Sequence, residues 1–375
     1  MAGIYIHIPF CRQKCYYCDF YKTVNLSQKE SFIFALKKEI NQRKNFLSNQ
    51  SVSTIYFGGG TPSVLNEKQI TAILKQLHSN FVVDSDVEIT FEANPDDLNP
   101  EYLSILKRTG INRLSIGIQS FQEKHLKKMN RRHNAEQAVI SVEDAVNKGF
   151  RNISVDLIYG LPGLTNIQWQ KSLRKCFDLP VDHLSAYHLT YHEGTPFYTW
   201  LKKGSLKELK ESESVDQFNV LLEMAEDAGF EQYEISNFAK NEKYSRHNSS
   251  YWNGISYLGL GPSAHSFNGI IRSWNVANLE SYLKAIENDL VYQEEEKLSE
   301  TDKYNEYIIT RIRTKWGISV NEVEKLFGPE RAKTLKQNIQ KYIDSGKVIY
   351  QKENLKLSHD GLFVSDEIMA NLIII

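Results

Sequence analysis

Long apolar runs are missing from this chain. No stretch approaches the roughly 18 consecutive apolar residues that a membrane-spanning helix needs, so it has no membrane segment of its own. An excess of either charge is missing too. The 45 basic and 46 acidic side chains leave a formal net charge of -1, which gives no global pull toward nucleic acid or an anionic membrane. The opening MAGIYIHIPFC lacks the basic region and continuous apolar core of a secretory signal, and passes at once into a strand-like pattern. A cytoplasmic location is therefore expected, where clustered cysteines more often bind metal than pair as disulfides. Low-complexity segments are absent, as are repeats beyond one alternation described below. Cysteine is scarce, four in 375 residues, yet three of the four fall within CRQKCYYC, residues 11–18.

The length suits one large domain and a smaller one, and 41% hydrophobic residues suit a globular protein. Over residues 1–240 short β-rich runs alternate with longer amphipathic stretches. Strands are predicted at residues 4–8, 54–57, 87–91, 113–118, 153–158 and 183–189, and helices at 28–46, 67–78, 100–109, 135–148 and 167–177. Strand then helix, about six times, predicts parallel strands with helices outside. Distinctive polar groups follow most strand ends: the cysteines after the first, GGGTP after the second, EANP after the third, Gln119 after the fourth, with Asp156 inside the fifth. That placement favours a partial barrel over an open doubly wound sheet. Residues 241–298 form the next unit. Their first part, 241–275, is rich in Asn, Ser, Gly, Tyr, Trp and His and reads as a functional loop. Residues 299–375 read as helices plus a small hairpin, a winged-helix-like module. With no basic recognition stripe, a packing or lid role is favoured there over DNA binding.

Cys11, Cys15 and Cys18 supply three thiolates. A structural zinc site wants four ligands, and the fourth here would be His7, inside the first strand. A [4Fe-4S] cluster has four irons, each normally bound by one thiolate. Three cysteines on one loop leave one iron open for a small molecule, and this reading is preferred. Cys176 shares a helical face with Trp169 and Leu173 and reads as core. Taken alone, the glycines of Gly58-Gly59-Gly60-Thr61-Pro62 admit a close ligand or merely a tight turn. Glu92 alone reads as a solvated loop residue, and Arg131 as a surface charge.

CxxxCxxC, with Tyr17 just before the third cysteine, resembles the radical S-adenosylmethionine superfamily, whose fold is a partial (β/α)6 barrel. The resemblance implies that the open iron binds the amino and carboxylate groups of S-adenosylmethionine. It further implies that Gly59, Gly60 and Thr61 meet the methionine amino group, that Glu92 holds the ribose, and that Gln119, Arg131 and Asp156 make the remaining cofactor contacts, Arg131 on the carboxylate. Tyr5, Tyr17 and Phe20 join the cofactor-binding set by the same resemblance.

YIHIPFC, YFGGGTP, GIQSF, MNRRH and DLIYGLPG together resemble one branch, the oxygen-independent coproporphyrinogen III oxidases and the related haem chaperones. The resemblance covers essentially the whole chain. Three features favour the chaperones. Phe20 stands where the oxidases carry a fourth cysteine. The first strand begins at Ile4, leaving no room for the oxidases' N-terminal extension. His247-Asn248-Ser249-Ser250-Tyr251-Trp252 matches the chaperones' HNxxYW element. The expectation is a protein that binds a [4Fe-4S] cluster, S-adenosylmethionine and haem and delivers haem to a client protein. A membrane-associated client fits a carrier with no membrane segment, and nucleic acid is not expected as a partner. His247 would ligate haem iron, with Tyr251 and Trp252 as aromatic walls. Taken alone, His247 reads as a capping residue in a polar loop, and His265 as a loop or packing residue. The alternative function is radical decarboxylation of coproporphyrinogen III.

Overall fold

The computed structural model describes residues 1–374. Strands β1 (Ala2–Ile8), β2 (Val52–Gly59), β3 (Val83–Ala93), β4 (Arg113–Gln119), β5 (Ile153–Tyr159) and β6 (His183–His188) lie side by side in sequence order, all parallel. The crossovers carry α1 (Lys29–Gln42), α2 (Glu67–Asn80), α3 (Pro100–Arg108), α4 (Glu123–Lys128), α5 (Ala135–Asn147) and α6 (Asn166–Phe177). Three of these helices open on the same local device. In Asn66/Gln69, Thr165/Gln168 and Asn134/Gln137 each side chain satisfies a free backbone N–H at the helix start.

Side chains alternate along each strand. One face packs into the apolar core beneath the helices, with Ile4, Ile6, Ile8, Ile55, Phe57, Phe91, Leu114, Ile116, Val155 and Leu184 all fully buried. The other face is polar. Tyr5 pairs with Tyr56, Glu92 with Ser115, and Asp156 with Ser185, so register gathers polar groups onto one concave surface. A parallel sheet packed on both faces by apolar layers would read as continuous hydrophobic runs. Here alternate positions are Tyr, Glu, Arg, Ser and Asp, and that face lines a cavity.

Most strands end one or two residues from the expected position, and two of these differences bear on the polar groups. β3 runs to Ala93, so Glu92 lies inside the strand, and Gln119 is the last residue of β4 with a left-handed φ of 65°. α1 stops at Gln42, short of the predicted Phe46. The larger difference lies beyond β6. After α7 (Pro196–Lys202), α8 (Glu211–Asp227), β7 (Glu231–Glu234) and β8 (Asn237–Ala239), the expected loop is folded. It holds α9 (Arg246–Trp252), β9 (Tyr257–Leu260), β10 (His265–Phe267), β11 (Ile271–Asn275), α10 (Leu279–Glu287) and β12 (Gln293–Lys297). β9 adds in parallel to the free edge of β1, and β10, β11 and β12 continue outward antiparallel, while β8 and β7 extend the other edge. Elements of three to nine residues carry too few turns for a periodic signal, which is why composition alone reads as loop. Glu39 of α1 fixes this extension. Fully buried, it accepts from the Gly261 N–H at 2.8 Å, Asn275 Nδ2 at 2.6 Å and Tyr282 OH at 2.6 Å.

The C-terminal part comprises α11 (Glu300–Ile312), β13 (Ile318–Ser319), α12 (Val320–Phe327), α13 (Pro329–Asp344), β14 (Val348–Gln351), β15 (Asn354–Leu357), α14 (His359–Leu362) and α15 (Ser365–Leu372). Its antiparallel sheet has the order β13-β15-β14, and its apolar core, with Tyr304, Ile308, Leu335 and Ile339, is separate from that of the barrel. No helix among the described residues is long and apolar enough to cross a membrane.

Candidate functional site

Past β1 the chain leaves the sheet as a loop holding the three clustered cysteines. Its base is closed by the Cys11 N–H to Thr23 O at 2.9 Å and the Thr23 N–H to Pro9 O at 2.7 Å. Its far side is strapped to the MNRRH segment. Tyr16 N–H donates to Met129 O, Gln13 Nε2 to Asn130 O and Asn130 Nδ2 to Lys14 O. The two arginines of that segment then divide. Arg132 pairs with Asp96 and with Asp97 at 2.7 Å outside the chamber. Arg131 turns inward, donating to Asn94 Oδ1 at 2.5 Å, Gly117 O at 2.6 Å and Cys15 Sγ at 3.4 Å.

The cysteines face a cavity of about 440 Å³ at the strand ends. Of the residues expected to bind cofactor, Tyr17, Phe20, Gly59, Gly60, Thr61, Glu92, Gln119, Arg131 and Asp156 line it together with Cys11, Cys15 and Cys18. Thr61 Oγ1 donates to Cys11 Sγ at 3.2 Å, and Glu92 Oε1 accepts from Tyr56 OH at 2.7 Å. Ser115 Oγ donates to the Asp156 carboxylate. Burial pushes Glu92 up to about 7 and Asp156 up to about 6. Burial also pushes the Cys11 thiol up to about 11, so a metal centre must displace its proton on binding.

Among the described residues no three His, Cys, Asp or Glu side chains converge on one metal ion. The fourth ligand that a zinc site would need is not offered by His7. Its Nε2 bonds to Tyr21 O at 2.9 Å and its Nδ1 to Tyr5 OH at 3.2 Å, inside the wall. A four-iron cluster needs no convergence, because each thiolate takes its own iron. The residues fit that group. Three thiols face one cavity, two of them already take donors, and an arginine stands beside them with its Nε buried and unpartnered.

Four expected residues lie apart from the cavity. Tyr5 packs beneath its wall, 6.1 Å from Tyr56 between ring centroids. His247 is 2% exposed, its Nδ1 within 2.8 Å of Thr54 Oγ1 and its Nε2 within 2.9 Å of Tyr251 OH, and it stacks on Tyr56. With both nitrogens taken, the ring is no open ligand for a haem iron in this conformation; it belongs to the barrel floor. Tyr251 is half-buried against it, and Trp252 lies under Arg313 with its Nε1 unpartnered. Only Asn248 of the HNSSYW element lines the cavity. His265 is exposed and stacks on Trp274, in a surface strand. The sequence reading also passed over Tyr56, Asn94, Arg113, Ser115, Ser185 and Tyr187, all of which line the chamber. Their signal was the polar alternation inside strands β2, β4 and β6 and, for Asn94, its place just past β3.

A cysteine triad beneath a polar, partly closed parallel β/α barrel defines the class. The Radical SAM superfamily is matched over residues 5–176 and the HemN C-terminal domain over residues 298–364. Heme chaperone HemW of Bacillus subtilis is 33% identical over 373 residues, covering 99% of this chain and 98% of that protein. HemW of Lactococcus lactis is 31% identical, covering 99% and 97%. Among solved structures, coproporphyrinogen III oxidase (HemN) from Escherichia coli, described as a radical SAM enzyme, superposes with a TM-score of 0.86 at 23% identity. It covers 99% of this chain and 90% of that one, a likeness of fold. The chain belongs to the radical SAM superfamily and, within it, to the HemW family.

Proposed function

We propose that this protein is a haem chaperone. It carries a [4Fe-4S] cluster on Cys11, Cys15 and Cys18, binds S-adenosylmethionine in the adjoining cavity, takes up haem and passes it to a client protein. The full-length similarity to proteins named heme chaperone HemW carries this reading. Phe20 supports it. It stands 65% exposed at the cavity rim, where the oxidase pattern would place another thiol.

When bound, the cluster supplies single electrons to a ligand on its open iron. The chain's own groups do the rest. Thr61 and Arg131 donate to the thiolate sulfurs, which tunes the potential of the centre they hold. Arg131 offers its unpartnered Nε–H to a carboxylate. Gly59 and Gly60 let a ligand approach the backbone, Gln119 offers an amide, and Glu92 and Asp156 accept from hydroxyls. Haem contact is proposed at His247–Trp252, with His247 as iron ligand. That ligation requires α9 to release the ring from Thr54 and Tyr251.

Haem titration of anaerobically reconstituted protein tests the reading. A red-shifted Soret band is expected from imidazole ligation, altered by His247→Ala or Trp252→Ala, with the cluster retained. Incubated with reductant, S-adenosylmethionine and coproporphyrinogen III, the protein should give no protoporphyrinogen. Its formation would replace the chaperone reading with that of an oxidase.

A further inference from the structure

Arg113 has no place in the account above. It opens β4 and alternates with Ser115 and Gly117, so its side chain joins the concave face and lines the cavity with Glu92 and Asp156. It is 1% exposed. Among the described residues no carboxylate lies within ion-pair distance of it and no side chain or carbonyl accepts from its guanidinium, whose Nε is buried without a partner. A buried guanidinium with no acceptor is strongly unfavourable. The missing partner is supplied if a ligand brings it.

The surroundings say which part of a ligand that is. Tyr56 faces Arg113 from β2, Glu92 from β3, Asp156 from β5, His183 from β6, Tyr233 from β7 and His247 from α9. Burial keeps both histidines and both tyrosines in their neutral forms. Glu88 is taken up at the start of α9, where it accepts the Arg246 and His247 N–H groups. That leaves Arg113, with Arg131 as the second cation, facing the carboxylates of Glu92 and Asp156.

We propose that Arg113 is a further cofactor-binding residue: from the cavity floor its guanidinium donates to the sugar end of S-adenosylmethionine, beside Glu92 and Asp156 as the acceptors for that sugar's hydroxyls. The proposal rests on S-adenosylmethionine occupying this cavity. Burial and mutual repulsion raise both carboxylates toward neutrality, while Tyr56, the Gly59 N–H, Ser115, Ser185, Arg113 and Arg131 act the other way. Without Arg113 the pair takes up a proton at higher pH and loses acceptor strength.

The test is S-adenosylmethionine affinity of anaerobically reconstituted protein from pH 6 to 9, with cluster content and circular dichroism as controls. In the wild type, affinity should fall as pH drops below about 7, and Glu92→Gln should flatten that fall. Arg113→Met should bind about tenfold more weakly at neutral pH, the loss expected for a hydrogen bond to a charged group. Its pH midpoint should move upward, so the deficit shrinks at pH 9. Arg113→Lys, lacking the planar fork, should show a smaller change in the same direction. It decides the matter if Arg113→Met assembles no cluster. Wild-type affinity in Arg113→Lys, or equal weakening at every pH in either variant, would overturn the proposal. A cluster-loaded wild type that binds no S-adenosylmethionine would instead remove the reading beneath it.

Discussion

His247 Nδ1 lies 2.8 Å from Thr54 Oγ1, which ties the HNSSYW element to the second strand of the barrel. Glu88 of β3 completes the attachment by accepting the first N–H groups of α9. On its outer side Arg311 of α11 donates to Asn253 at 2.5 Å, just past the helix. One short helix therefore closes the chamber floor and touches the C-terminal part. That burial has a consequence in acid. His247 is held down at about 3 by desolvation, with Arg113 adding to the effect, against about 6.5 in an unfolded chain. Above 6.5 neither state binds the proton. Below it the unfolded chain does and the folded chain does not, so stability is lost as pH falls from 6.5 toward 3. In cluster-free protein, His247→Gln should reduce the slope of unfolding free energy between pH 6 and 4 by about 1.4 kcal/mol per pH unit, one proton's worth. Denaturant unfolding at several pH values checks this, and equal slopes would contradict it.

Cys11, Cys15 and Cys18 share one cavity, whereas Cys176 is fully buried in α6. Alanine at any of the first three should abolish the brown chromophore and the bound iron. Cys176→Ala should keep both and lower stability by about 1 kcal/mol, a typical small core deletion. Iron and sulfide analysis after anaerobic purification separates the two classes.

Gly60 sits where β2 passes the start of the cysteine loop. A Cβ there would lie 2.7 Å from Ile8 O and 2.8 Å from Phe10 O, both backbone atoms that cannot swing aside. Gly60→Ala should displace the loop, lowering cluster occupancy and S-adenosylmethionine binding together. Full iron content with normal ligand binding would show that the backbone yields more easily than this contact suggests.

Arg131 makes its contacts with Cys15, Asn94 and Gly117 through both Nη atoms and leaves Nε free. Arg131→Ala should weaken S-adenosylmethionine binding by roughly 1.5–3 kcal/mol. Arg132→Ala should leave it nearly unchanged, because that arginine pairs with Asp96 and Asp97. Calorimetric titration of both variants would expose an inverted order.

Glu39 holds three donors from the segment that follows the barrel. Glu39→Ala leaves them buried and unpaired. It should cost about 3–5 kcal/mol, as for other broken buried networks. Thermal unfolding of the cluster-free protein would measure it, and a loss below 1 kcal/mol would mean the extension is held mainly by its apolar contacts.

Local pattern alone carried much of this protein. The six parallel strands and five of the six helices between them follow from hydrophobic spacing, because those elements are long enough to repeat their period, whereas α4 has only six residues. The cysteine spacing pointed to the proposed cluster loop for the same reason: its three thiols are neighbours in the chain. Tertiary structure decided what neighbours could not. It made the segment 241–298 an extension of the sheet, through β9 pairing with β1 and Glu39 reaching across more than 200 residues. It separated Arg131 from Arg132, put His247 in the floor instead of at an open ligand position, and brought Arg113 to the chamber. Those outcomes depend on which groups from distant strands meet across the barrel, and burial there sets whether a polar side chain is a wall, a pair or a ligand.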